Sequence, residues 1–168
     1  MADPKSLADL FVQKLRYVYD AEQRLIDALP KLAEAADASE LKGAFEAHLR
    51  ETEAHVERLI RVFGMFNEEA DSDKNNAIKG IVSTGDDVMD LDSDAPAVKD
   101  AALIAAAQTA EHYEIAEYGT LRTWAGVLSK PEAVELLNWT LQEEKKADQL
   151  LTEIAARLNF EAALPRAR

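Results

Sequence analysis

Apolar residues recur at steps of three and four along most of the chain, the period of a helix buried along one side. From Ser6 to Asp37 the recurring positions are Phe11, Leu15, Val18, Leu25, Leu29 and Leu32, which predicts one long helix that Pro30 bends without ending. Asp37 and Ala38 then make a tight turn. A second helix, capped around Ser39, is expected to reach Phe66 through Leu41, Phe45, Leu59 and Val62. The stretch from Asn67 to Asn76 is polar, and Ala77 to Leu91 carries Ile78, Ile81, Val82, Val88 and Met89, enough for a short crossover helix. After a turn at Asp92, Ser93, Asp94 and Ala95, the rhythm resumes from Pro96 to Leu128 through Ile104, Ala107, Leu121, Ala125 and Leu128. Pro131 sits in the first turn of a last long helix with Val134, Leu137, Leu141, Leu151, Ala155 and Leu158, ending near Asn159 and leaving Phe160 to Arg168 as a tail.

Two helical hairpins joined by one long crossover define an all-α, ferritin-like four-helix bundle. A chain of 168 residues fits one such domain, with its core between about residues 5 and 160. Composition narrows the chemistry. The absence of cysteine excludes a disulfide framework, a thiolate metal site and a cysteine nucleophile, so any metal must be held by oxygen and nitrogen. A net charge of -13 argues against a nucleic-acid surface and for cations as small partners. No stretch approaches a membrane span and the N-terminus lacks the pattern of a secretion signal, so the reading is cytoplasmic.

The chemistry lies where the apolar rhythm fails. Residues on these seams face the bundle interior, yet the first helix reads Val18, Glu22, Leu25 and the third Ala107, Glu111, Glu114, Tyr118, Leu121. The fourth reads Leu141, Glu144, Asp148, Leu151, and the second Leu41, Ala44, His48, Glu51, His55, Leu59. Glu22 and Glu51 are nearly symmetric about the first turn, as are Glu114 and Glu144 about Ser129, so the acids are expected to meet at one level. Glu22 precedes Glu51 and His55 much as Glu114 precedes Glu144 and Asp148, with spacings of 29 and 30 residues and then four in both, the mark of a duplicated hairpin. So many interior carboxylates cannot all ionise without partners. Two metal ions would supply them: the donor set suits iron or manganese, with zinc also compatible.

The stretches Tyr19-Asp20-Ala21-Glu22-Gln23, Glu51-Thr52-Glu53-Ala54-His55-Val56, Glu111-His112-Tyr113-Glu114-Ile115-Ala116 and Glu143-Glu144-Lys145-Lys146-Ala147-Asp148 resemble the YciE/YciF family of ferritin-like bacterial proteins. The resemblance implies a homodimer in the cytoplasm, an association with stress responses and a di-metal centre without an assigned reaction. Against the wider di-iron pattern of Glu-x-x-His, Thr52 stands three residues before His55 and Asp148 replaces a second histidine.

The metal reading takes Glu22, Glu51, His55, Glu111, Glu114, Glu144 and Asp148 as ligands. Glu22 and Glu114 would be terminal, Glu51 and Glu144 bridging, His55 and Asp148 capping, and Glu111 able to shift. His48 reads as a hydrogen-bonded core residue and Tyr118 as a core tyrosine. Off their seams, His112 and Glu143 are expected to face solvent or a partner, while Trp124 and Trp139 pack at helix or subunit contacts. The function these expectations support is a di-iron, or di-manganese, protein that meets dioxygen or peroxide. Its rivals are a bundle in which metal only stabilises the fold, and one whose protonated acids bond each other with no metal.

Overall fold

A computed structural model describes residues 3–91 and 95–164. Among these every regular element is an α-helix: α1 (Leu7–Ala35), α2 (Ser39–Met65), α3 (Asn76–Met89), α4 (Pro96–Val127) and α5 (Pro131–Ala163). None is long and apolar enough to cross a membrane. Helix α1 packs along α2 and α4 along α5; the two hairpins close through α2 on α5 and α1 on α4, and α3 lies across α1 and α4. Pro30 stays inside α1 without ending it. The expected turn at Asp92, Ser93 and Asp94 lies outside the described residues.

Helix ends follow local chemistry. Ser6 caps α1 by accepting from the Asp9 backbone N–H at 3.1 Å. Asn67 and Ser129 take left-handed backbone, each at φ 56°, just past α2 and α4. In both places the following amide returns to the last turn, Glu68 N–H to Phe63 O at 3.1 Å and Lys130 N–H to Ala125 O at 3.0 Å. The last helix overruns its expected end at Asn159. Glu161, Ala162 and Ala163 are good helix formers, and the chain leaves helical geometry at Leu164, the residue before a proline.

The cap of α2 differs from expectation. Ala38, not Ser39, is the cap residue and has no side-chain bond of its own. The acceptor comes from another helix: Asp100 of α4, 1% exposed, takes the Asp37 N–H at 2.9 Å and the Ala38 N–H at 2.8 Å. This pins the first hairpin's turn to the second hairpin and so sets the heights of α1 and α2 against α4. Replacing Asp100 with alanine strands those amides and is expected to cost about 1–3 kcal/mol. Thermal unfolding would show a loss of about 3–10 °C for a chain of this size, with Asp100→Asn, which keeps one acceptor, falling between.

Three of the long helices, α1, α2 and α4, turn a strict heptad seam inward, the spacing of left-handed bundles. On α1 it runs Phe11, Leu15, Val18, Glu22, Leu25, Leu29, Leu32, all buried. On α2 it runs Leu41, Phe45, His48, Thr52, His55, Leu59, Val62, and on α4 Ile104, Ala107, Glu111, Glu114, Tyr118, Leu121, Ala125, again all buried. Two apolar clusters result. One gathers Leu25, Leu29, Phe45, Ile78, Leu103 and Leu151, the other Phe11, Leu15, Leu59, Phe63, Leu121 and Leu137. The polar seam residues lie between them, sealed on both sides.

Candidate metal centre

One buried layer collects Glu22 from α1, His48 and His55 from α2, Glu111 and Glu114 from α4, and Glu144 from α5, none more than 6% exposed. Their donor atoms fall into two groups, each within 4.8 Å: His48, Glu111, Glu114 and Glu144, and Glu22, His55 and Glu144. Glu144 belongs to both. His48 Nε2 lies 3.2 Å from Glu111 Oε1 and 3.5 Å from Glu144 Oε2. His55 Nδ1 lies 2.9 Å from Glu144 Oε1 and 3.4 Å from Glu22 Oε1, without hydrogen-bond geometry to either. Glu22 Oε2, Glu111 Oε2, Glu114 Oε1 and both oxygens of Glu144 are buried with no hydrogen-bond partner.

Orphaned carboxylate oxygens in a buried layer are costly. The protein relieves part of that cost with protons. Burial pushes the Glu114 carboxyl well above the usual range, and the neighbouring Glu22, Glu144 and Glu111 add to it. Burial likewise pushes Glu144 up to about 8, against the opposing pull of the two imidazoles. Burial disfavours a charged His55 ring, but Glu22 and Glu144 outweigh it and raise the imidazole to about 10. For His48 the same contest between burial and the carboxylates of Glu111, Glu51 and Glu144 ends well above the ordinary value.

The surroundings orient the donors. Tyr118, fully buried, donates its hydroxyl to Glu22 Oε1. Thr52 satisfies its own hydroxyl on His48 O at 2.9 Å. Glu143, expected to face solvent or a partner, instead lies 3.0 Å from His55 Nε2 and is clamped by the Arg58 guanidinium, itself stacked 4.3 Å over Trp139. A donor role for Nε2 there leaves Nδ1 free to act as a ligand toward Glu22 and Glu144.

Of the sequence candidates, the fold gathers Glu22, His55, Glu111, Glu114 and Glu144 and adds His48, which its seam position predicts to be a hydrogen-bonded core residue. Glu51 and Asp148 lie outside both groups. Glu51, with 35% of its side chain exposed, stands 3.5 Å from His48 Nδ1 at the rim. The inward position on α2 belongs to Thr52, because only that residue keeps the alternation of four and three between Phe45 and Leu59. Asp148 has the right phase on α5 but leans out to the α4 edge, where Gln108 donates to it at 2.9 Å and His112 lies at 3.4 Å. Those partners hold its carboxylate at the edge, away from both donor groups. His112, with 70% of its side chain exposed, faces outward as expected.

The family described as a domain of unknown function, DUF892, matches residues 6–163. Protein YciF from Escherichia coli strain K12 is 43% identical over 152 residues, covering 90% of this chain and 91% of that protein. The crystal structure of the E. coli stress protein YciF superposes with a TM-score of 0.89 at 42% identity, over 92% of this chain and 98% of that one. YcfI from Rhodopseudomonas palustris, for which a structural role has been suggested, gives 0.86 at 38% identity, over 90% of this chain and 96% of its own. At fold level alone, a two-domain Anabaena variabilis protein with DJ-1/ThiJ/PfpI-like and ferritin-like domains matches with a TM-score of 0.64 at 17% identity, over 98% of this chain and 41% of that chain.

Proposed function

The chain belongs to the DUF892 family, and on that footing we propose that it is a carboxylate-bridged two-metal protein, with iron the preferred ion, that meets dioxygen or peroxide under stress. The observation that carries the reading is the set of partnerless carboxylate oxygens from three helices converging between two imidazoles in a buried layer. An acid cluster built only to bond itself would satisfy its oxygens. The donor set of carboxylate and imidazole fits iron or manganese.

One ion would be held by Glu22, His55 and Glu144, the other by His48, Glu111, Glu114 and Glu144, the shared carboxylate of Glu144 joining them. Two such ions, when bound, would supply the electrons for oxidant reduction. The residues do the rest: Glu143 and Arg58 fix the His55 ring, Tyr118 holds Glu22 in place, and the apolar clusters on both sides exclude water. Glu51, beside His48 at the rim, would be a way station for incoming cations. The E. coli relative is named a stress protein, which supports a role under stress.

Aerobic titration of metal-free protein with Fe(II) is expected to saturate at about two ions per chain, the complement of related bundles, with an oxo-to-iron absorption band. The suggested structural role of YcfI favours a second reading, in which metal stabilises the fold without turnover. A chelator that lowers the melting temperature while no oxidant is consumed would select it.

A further inference from the structure

Beneath the crossover helix a cavity of about 30 Å³ reaches down to His48 and Glu111. Its walls are Leu25 and Leu29 from α1, Val82 and Met89 from α3, and Ala106 and Ala107 from α4. The space exceeds the roughly 10–15 Å³ that one water-sized guest needs. Exposed Asp86 stands on the α3 side of the lining, and on the floor is Glu111, 4% exposed, with Oε2 lacking any partner.

Gly85 on α3 gives a second, independent view of the same space. It is buried in mid-helix and lines the cavity, yet a Cβ added there would meet nothing within 4 Å. Glycine in a helix interior is destabilising relative to alanine. Room therefore exists for a side chain that would stabilise the helix, and the chain leaves it open.

A separate opening between α2 and α5 also touches His48 and Glu111, but Glu51 and Lys146 line it, and its volume is about 110 Å³. The two faces differ in chemistry. The α2–α5 side offers charge to a hydrated cation. The α3 side offers mainly hydrocarbon between exposed Asp86 and the His48–Glu111 floor, and apolar space of that kind takes up small nonpolar guests.

We infer that the α3 cavity is a holding site and access route for dioxygen, in preference to hydrogen peroxide, at the His48–Glu111 edge of the centre. The inference rests on the reading of that centre as oxidant-reactive. Dioxygen carries no hydrogen bonds to lose on leaving water. Peroxide must surrender part of its hydration to walls that are mainly hydrocarbon, and is better served by the opening lined by Glu51 and Lys146.

Paramagnetic relaxation by dissolved dioxygen, measured on the metal-free protein, tests the binding clause without any turnover. The methyl groups of Leu25, Val82 and Met89 are expected to relax faster than those of the opposite apolar cluster, and Gly85→Leu is expected to abolish the difference. In the iron-loaded protein Gly85→Leu should slow oxidation by dioxygen about tenfold, equivalent to 1.4 kcal/mol, while oxidation by peroxide under argon and the iron stoichiometry stay unchanged. Ala106→Val serves as the second variant should Gly85→Leu not fold. Uniform relaxation across both clusters, or an unchanged dioxygen rate in the filled variant, overturns the inference. If bound Fe(II) in the parent protein ignores both oxidants, the proposed function falls, and the relaxation measurement still decides whether dioxygen occupies the cavity.

Discussion

Glu144→Gln is expected to abolish metal loading while making the metal-free protein more stable. Glu144 is fully buried, contributes to both donor groups and has neither oxygen hydrogen-bonded. Removing an outer partner of a metal ligand costs roughly 10–100-fold in affinity; removing the carboxylate shared by both ions should cost more, and for both ions together. Without metal the sign reverses. Glutamine keeps the shape and removes a charge that burial and Glu111 penalise by more than His55 and His48 favour it, for a net gain of about 1–2 kcal/mol near pH 8. Calorimetric metal titration alongside thermal unfolding of the metal-free protein measures both halves. Glu53→Gln, at an exposed position on α2, should change neither. A metal-free Glu144→Gln protein less stable than its parent would show that the carboxylate serves the fold and not a ligand.

Raising the pH is expected to destabilise the metal-free protein and to leave the metal-loaded one nearly unaffected. Burial lifts the Glu144 carboxyl from 4.5 to about 8, and the carboxylates of Glu22 and Glu144, overcoming burial, lift the His55 ring from 6.5 to about 10. A group whose folded value is raised binds more protons in the native state, so its contribution is complete below the unfolded value and lost as pH rises through the folded one. For Glu144 the loss runs from about pH 4.5 to 8, and for His55 from about 6.5 to 10. Between pH 6 and 9 the melting temperature of the metal-free protein should fall by about 5–10 °C. Metal replaces those protons, so its affinity rises over the same interval and cancels the slope. A metal-free protein whose melting temperature is flat or rises from pH 6 to 9 would show that the buried layer does not hold its protons as described.

Much of this architecture was legible in the chain because both signals that carry it are local. Heptad apolar residues state which side of each helix is buried, and Glu22, Glu111, Glu114 and Glu144 announce themselves by interrupting that rhythm. The resemblance to YciE/YciF stretches pointed to the same family that the full-length match shows. On α2 the steps between His48 and His55 can be taken as three then four or four then three, so Glu51 and Thr52 compete for the inward position. Phe45 and Leu59 on either side already contained the answer, since only Thr52 preserves the alternation.

Asp148, Glu143, His48 and Asp100 are different cases, because periodicity reports direction and not neighbours. Asp148 has the inward phase, yet Gln108 from α4 holds its carboxylate at the edge. Glu143 lies off its seam yet meets His55 and Arg58 across the α2–α5 junction. Asp100 caps a turn 63 residues away in sequence. The amino-acid sequence by itself determined the helices, their buried faces and the level at which charge enters the core, since each depends on residues a turn or two apart. Which carboxylates share that level with which imidazoles, and where a cavity remains beneath α3, was decided only when separate helices met, because contact distances between them depend on tilt, height and side-chain reach that no single helix encodes.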